Sequence, residues 1–279
     1  MRQLDLQSLL AAVDVPVDWV GIREVTETHS PRVVRDGVPQ VNGCFTTQGL
    51  MVEVLTDGQF GYYGTPNMTD IGISDAAKIA YEQAKQAANH ATYKFTDAAR
   101  PANVGSYQSP FVKEIDTISP GELNKILLDA YTQLKVSNKI VSARALMQSI
   151  HTLSRFVSSN GSDITQDFLM MEFDLSATAA DGANQQTRTF GGMRGTCRQM
   201  GMEFLDKWEL LSIAQKIGEQ AIELLDADDC PTGEMDLVIA SDQMMLQIHE
   251  SVGHALEVDR ILGDERNYAG WSFVNMDDF

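Results

Sequence analysis

Two stretches of alternating residues, joined by a short polar turn, constrain this chain more than any other feature. From Ile140 to Ser159, Val141, Ala143, Ala145 and Met147 alternate with more polar neighbours, and from Thr165 to Ala179 the residues Leu169, Met171, Phe173, Leu175 and Ala177 mark one face. Alternation places every second side chain on one side of an extended backbone, so both stretches are predicted strands with one apolar face. The intervening "SSNGSD" closes them into an antiparallel hairpin. A paired apolar face of that length needs covering, and helices are the covering elements the rest of the chain offers.

The remaining elements alternate between β and α signals. "VDWVGIREVTETHS" is rich in Val, Ile and Thr, and in the following "RDGVPQVNG" the pairs Asp36-Gly37 and Asn42-Gly43 suit tight reversals. "GLMVEVLTDGQFGYYG" reads as another strand and turn. A helix is predicted from Ser74, with Ser74 or Asp75 as cap, to about Phe95. A second runs from Pro120 to about Asn138, with Ser119 as cap and Pro120 at the first helical position. A third covers about Asp206 to Leu225 and ends in "DADDCPTG", the clearest break in the chain. The expected class is α+β, mainly antiparallel sheet with covering helices, in a domain spanning 1–228, with a second domain opening at 229–279. In the latter, the apolar "MDLVIA" reads as a short strand, and "SDQMMLQIHESVGHALEVD" as a helix capped by Ser241 or Asp242.

Charge and composition narrow the function classes. With 21 Lys and Arg against 39 Asp and Glu, the formal net charge of -18 opposes a direct nucleic-acid partner, since phosphate binding draws on clustered cations. No apolar run approaches the roughly twenty residues that cross a bilayer, and the N-terminal stretch carries acids where a signal sequence is apolar. The expected compartment is the cytoplasm. The 3 cysteines, Cys44, Cys197 and Cys230, are odd in number and far apart, which suits a reducing compartment better than a disulfide framework.

The one motif with metal chemistry is His249-Glu250-Ser251-Val252-Gly253-His254, two of the 5 histidines around a glutamate. Neutral imidazoles suit Zn²⁺, and an adjacent carboxylate can take a proton from an attacking water. The spacing is one residue longer than the HExxH pattern that a regular helix uses. On an ideal helix, positions five apart diverge by about 140° and rise by about 7.5 Å, too far for one ion. Both rings can serve a single metal only if the helix is bent or widened between them, and Gly253 is placed to ease that departure. The alternative is a core helix with one hydrogen-bonded histidine and a solvent-facing Glu250.

"HESVGHALEVDR", preceded by "CPTGEMDLVIA", resembles the TldD/PmbA family of metallopeptidases, specifically the TldD-like subunit that keeps an HExxxH motif. The "RDGVPQVNG" hairpin, the "VSSNGSD" turn and "FGGMRG" resemble parts of the same family's N-terminal domain. The resemblance implies that His249 and His254 are metal ligands, Glu250 the catalytic carboxylate and Zn the metal. It implies peptide hydrolysis, of small or unfolded polypeptides, in a heterodimer with a sister subunit lacking the motif. It also implies a mostly β metallopeptidase domain beginning after the break, and a third, cysteine ligand further along. Only 25 residues follow His254, so the expectation is a truncated form that lacks peptidase activity and binds metal weakly or not at all as it stands.

Other residues carry alternatives. Cys230 is the thiol best placed to substitute for the missing ligand, while Cys44 and Cys197 read as buried or partly buried structural thiols. Glu257 either orients a ligand imidazole or faces solvent. His29, His90 and His151 have no ligand spacing to one another. "GGMRG" lacks the ending of a phosphate loop and reads as a turn; "DADDC" and "MDDF" lack the spaced oxygens of a calcium loop. Two further functional readings stand beside the enzyme: a noncatalytic scaffold subunit, and the gyrase-associated regulator that the family's older label suggests.

Overall fold

In a computed structural model of the chain, which describes residues 4–192, 195–265 and 270–278, the long hairpin forms the middle of one large sheet. The chain separates into two compact units, Met1–Ala227 and Asp228–Phe279.

The first unit begins with a short helix α1 (Leu6–Ala11) and the strands β1 (Trp19–Arg35), β2 (Val38–Asn42), β3 (Phe45–Thr56) and β4 (Gln59–Thr65). Helix α2 (Asp70–Ala88), β5 (Val104–Gln108) and helix α3 (Pro120–Leu134) follow. The hairpin strands are β6 (Ile140–Ser158) and β7 (Asp163–Asp181), and β8 (Asn184–Phe190), β9 (Arg198–Gln199) and helix α4 (Leu210–Glu223) complete the unit. The sheet runs β4-β3-β1-β6-β7-β5, with β2 also on β1 and β8 and β9 also on β7. Every pairing is antiparallel except β5 with β7.

The period-two pattern translates directly into burial. Met147 pairs with Phe173 and Ala145 with Leu175 across the hairpin, and Phe173, Leu175 and Met171 are all fully buried. Each such side chain contributes about 1.5–3 kcal/mol by leaving water. Helices α3 and α4 cover this end of the sheet, through Leu123, Leu127, Leu134, Ala214 and Ile217. At the other end α1 and α2 cover Val20, Ile22, Val52 and Val54. On β1 both clusters use even-numbered residues, Val20, Ile22 and Val34. The helices therefore share one face of the sheet. The opposite face carries a smaller cluster of Trp19, Leu55 and Phe156. Close helix-to-sheet contact explains Gly61, where a Cβ would stand 1.9 Å from the carbonyl oxygen of Ala80 on α2.

Several local expectations are corrected. Asp36-Gly37 does reverse the chain, with φ of 51° and 79°, but Asn42-Gly43 does not. β2 and β3 continue in one direction along β1, Arg32 facing Asn42 and His29 facing Phe45 in a single register. The ladder between them is interrupted opposite Pro31, which has no N–H to donate. Helix α2 starts at Asp70 rather than Ser74, because the Thr69 hydroxyl accepts from the Gly72 N–H and caps it earlier; it ends at Ala88, short of Phe95. Helix α3 has the expected Ser119 cap, completed by Glu122 into a reciprocal pair of hydrogen bonds, and ends at Leu134. Helix α4 starts at Leu210, after a 3₁₀ segment over Met202–Lys207. Of the "GGMRG" turn, Met193 and Arg194 lie outside the described residues.

The second unit contains helix α5 (Ser241–Ile248), a π-helical turn (His249–Gly253), a 3₁₀ turn (His254–Leu256) and helix α6 (Val258–Leu262). Its described residues include no strand. "MDLVIA" has no ladder partner among them, and Leu237 and Val238 are 79% and 94% exposed, so apolar character alone does not make it a strand. Ser241 is the first helical residue and not the cap, a place held by Ala240 without a side-chain bond. Only Ala255 and Arg260 are buried among the described residues here.

Candidate metal centre

The helix carrying the motif solves the angular problem by widening. The His254 backbone N–H donates to the carbonyl of His249, five residues back, across a π turn. A ring closed over five residues gives positions 249 and 254 the neighbouring stations that positions four apart hold on a regular helix. The imidazole centroids stand 4.5 Å apart with the rings at 83°. Glu250 lies between them, its Oε1 3.9 Å from His249 Nε2 and its Oε2 3.9 Å from His254 Nε2.

Gly253 is not what permits the turn. Its φ and ψ are -57° and -59°, ordinary helical values, and a Cβ there would meet nothing nearer than the Ile248 carbonyl oxygen at 3.7 Å. The expectation that glycine eases the departure is corrected: this backbone has room for a Cβ and needs no left-handed conformation.

The donor atoms are of the kinds that hold a small divalent cation, grouped more loosely than bound ligands. One nitrogen from each histidine and a Glu250 oxygen lie within 4.8 Å of one another, the one such group of three among the described residues. Ligands of a tetrahedral zinc at about 2.0–2.1 Å stand closer than that. Side-chain rotation of roughly an ångström closes the difference, and His249 and Glu250, 61% and 60% exposed, are free to rotate.

His254 is held more firmly. It is 26% exposed, and its Nδ1 lies 2.9 Å from Glu257 Oε1. The other Glu257 oxygen is paired with Arg260 Nε, and Arg260 Nη1 also donates to the Gly270 carbonyl. The His254 hydrogen bond, followed by those from Arg260, holds the Glu257 carboxyl below the usual glutamate range. Glu257 thus turns one oxygen toward the imidazole while its side chain stays 38% exposed. Arg260 was not singled out from sequence, although its spacing of three from Glu257 on a helical stretch is the signal that pairs them. Ser272 Oγ donates to the Ala255 carbonyl and ties the stretch after the motif to it.

Cys230, the cysteine that shares the motif's unit, is not in this group of three. Cys230 is exposed, with the Pro231 carbonyl 3.9 Å from its sulfur. Cys44 is also exposed, which corrects its reading as a buried or partly buried thiol, because its position opposite β1 lies on an uncovered part of the sheet; Cys197 is partly buried. Of the other histidines, His29 pairs with Glu27 and stacks on Phe45, and His151 pairs with Asp167.

Comparison with known proteins places the chain in context. Residues 20–88 match the family model for PmbA/TldA metallopeptidase domain 1, and residues 113–225 that for the PmbA/TldA metallopeptidase central domain. A metalloprotease of Methanothermobacter thermautotrophicus is 25% identical over 92% of this chain and 54% of its own length. One from Methanocaldococcus jannaschii is 24% identical over 94% of this chain and 56% of its own. The chain thus spans about half the length of the curated relatives it matches. Among solved structures, a candidate DNA gyrase modulator from Thermotoga maritima shares the fold, with a TM-score of 0.56 at 14% identity over 77% of this chain and 46% of that one. TldE from Thermococcus kodakarensis does so at 0.52 and 11% identity, over 78% and 47%.

Proposed function

The chain belongs to the PmbA/TldD metallopeptidase family, and from that premise we propose that His249 and His254 are ligands of one divalent cation, zinc, in a peptidase centre. The observation that carries this reading is the π turn, which sets two imidazoles 4.5 Å apart where a regular helix would separate them. Such turns occur mostly as single insertions at functional sites.

A divalent metal held there supplies a Lewis acid for the attacking water and the scissile carbonyl. The chain's own residues do the rest. Each Nε2 faces Glu250, whose oxygens stand 3.9 Å from both. Glu250 is the general base, taking the proton of the attacking water at its carboxylate. The substrates are small or unfolded polypeptides, and the compartment is the cytoplasm.

Residues 229–279 are the opening of the metallopeptidase domain. Its exposed apolar side chains, among them Leu237, Leu246, Ile248, Leu256 and Phe273, support a place within a larger body of polypeptide that covers them. In that assembly a motif-lacking sister subunit is the partner. The 279-residue chain alone binds metal weakly and does not cleave peptides, since its site is open to solvent.

Equilibrium dialysis of the full chain with Zn²⁺, beside a fluorogenic peptide assay, tests this. Weak uptake that disappears in His249→Ala and His254→Ala, without cleavage, is the expected result. Tight stoichiometric zinc with peptide cleavage would overturn the statement about the isolated chain. Uptake unaffected by either histidine would overturn the site, and would favour the second reading, a noncatalytic or gyrase-associated subunit. The gyrase-associated form of that reading draws on the description of the Thermotoga maritima neighbour as a candidate DNA gyrase modulator.

A further inference from the structure

The two histidines of the motif are not equivalent. His249 is 61% exposed, and its Nε2 stands 3.9 Å from Glu250 Oε1. His254 is gripped from behind. Glu257 is the residue at which the 3₁₀ turn gives way to α6, with ψ of 117°, and its carbonyl accepts from the N–H groups of Arg260 and Ile261. The backbone of Glu257 is therefore fixed by the start of that helix. Its side chain is fixed by Arg260, itself buried at 9% exposure.

An ionised carboxylate can only accept a hydrogen bond. At 2.9 Å from Oε1, His254 Nδ1 must carry the proton, and in the neutral ring Nε2 is then bare. We propose that Glu257, held by Arg260, is a positioning residue that fixes His254 as the Nδ1–H tautomer and presents its bare Nε2 toward Glu250, where a metal would sit. The inference rests on the metal reading above for its purpose, though the tautomer itself is a property of the metal-free chain. His254 is the preorganised ligand, and His249 swings in to complete the pair. Partners of this kind behind metal-binding histidines fix the tautomer, and their loss costs about 10–100-fold in metal affinity.

The test is a long-range proton–nitrogen correlation spectrum of the full chain, labelled with ¹⁵N at histidine, at pH 7.5 without metal. His254 is expected as Nδ1–H with Nε2 unprotonated, and His249 as the mixture of an exposed imidazole. In Glu257→Ala the His254 signal should move to that mixture, and the Zn²⁺ midpoint followed on the same signals should weaken by about 10–100-fold. Glu257→Gln keeps the size but has one acceptor oxygen to share between His254 and Arg260; it should move both readouts the same way by less, and it serves where alanine unsettles the helix junction. A mixed tautomer for His254 in the wild type, a ring protonated at both nitrogens, or a tautomer unchanged in both variants would overturn the proposal. A wild-type chain whose histidine signals ignore Zn²⁺ would count against the metal reading alone.

Discussion

His254 donates its backbone N–H to the carbonyl of His249 across five residues, and the two side chains meet edge to face at 4.5 Å. One extra residue is thus absorbed by the helix at a place where it brings two potential ligands together. The carboxylate between them lies 3.9 Å from each Nε2, close enough to serve either as a third ligand or as a base.

Those two roles separate in Glu250→Gln. If Glu250 is the base, the variant takes up Zn²⁺ like the wild type, while His254→Ala does not. In any preparation that hydrolyses peptides, cleavage falls by about 10²–10⁴-fold, the usual contribution of a general base. Zinc titrations of the three proteins decide it, and loss of the ion in Glu250→Gln would make the carboxylate a ligand.

The π turn should not need its glycine. Since Gly253 has helical φ and ψ and a Cβ would meet only ordinary contact, Gly253→Ala is expected to leave the zinc midpoint unchanged. It should stabilise the helix by about 0.4–1 kcal/mol through the less flexible unfolded chain. Titration together with amide exchange over the motif helix measures both, and lost binding would show that the turn depends on glycine after all.

A pH effect is expected in the first unit, on β7. Asp174 is largely buried, with Oδ2 accepting from Arg144 at 3.1 Å and Oδ1 lacking a partner among the described residues. Burial pushes its carboxyl up to about 6 in spite of Arg144. A carboxyl raised on folding binds its proton more tightly in the native state, so stability falls as pH rises from the ordinary carboxylate range through 6. Relative to wild type, Asp174→Asn should therefore gain about 1–2 kcal/mol between pH 4 and pH 7, a value reduced for partial solvent access. Denaturant melts of both proteins at the two pH values check the sign; a constant difference would remove the burial argument.

What could be read from sequence followed the strength of the local physical signal. The β6–β7 hairpin was legible because alternation over some fifteen residues has one structural solution when a face is buried, and Phe173, Leu175 and Met147 sit where the pattern put them. The Ser119 cap was legible because Ser-Pro-x-Glu encodes its own hydrogen bonds. "MDLVIA" misled because composition cannot supply a ladder partner. Asn42-Gly43 misled because the continuity of β2 and β3 is decided by their common pairing to β1, a nonlocal fact. At the site, the need for a widened helix followed from the angle between His249 and His254, but its form as a π turn, and the grip of Arg260 on Glu257, depend on contacts that spacing alone does not fix.

The most direct measurement is a Zn²⁺ titration of the full chain followed on the ring carbon–proton signals of all its histidines. The account predicts that His249 and His254 move together along a single isotherm, one ion per chain, while His29, His90 and His151 stay in place. Different midpoints for His249 and His254, or shifts shared equally with the other histidines, would contradict it.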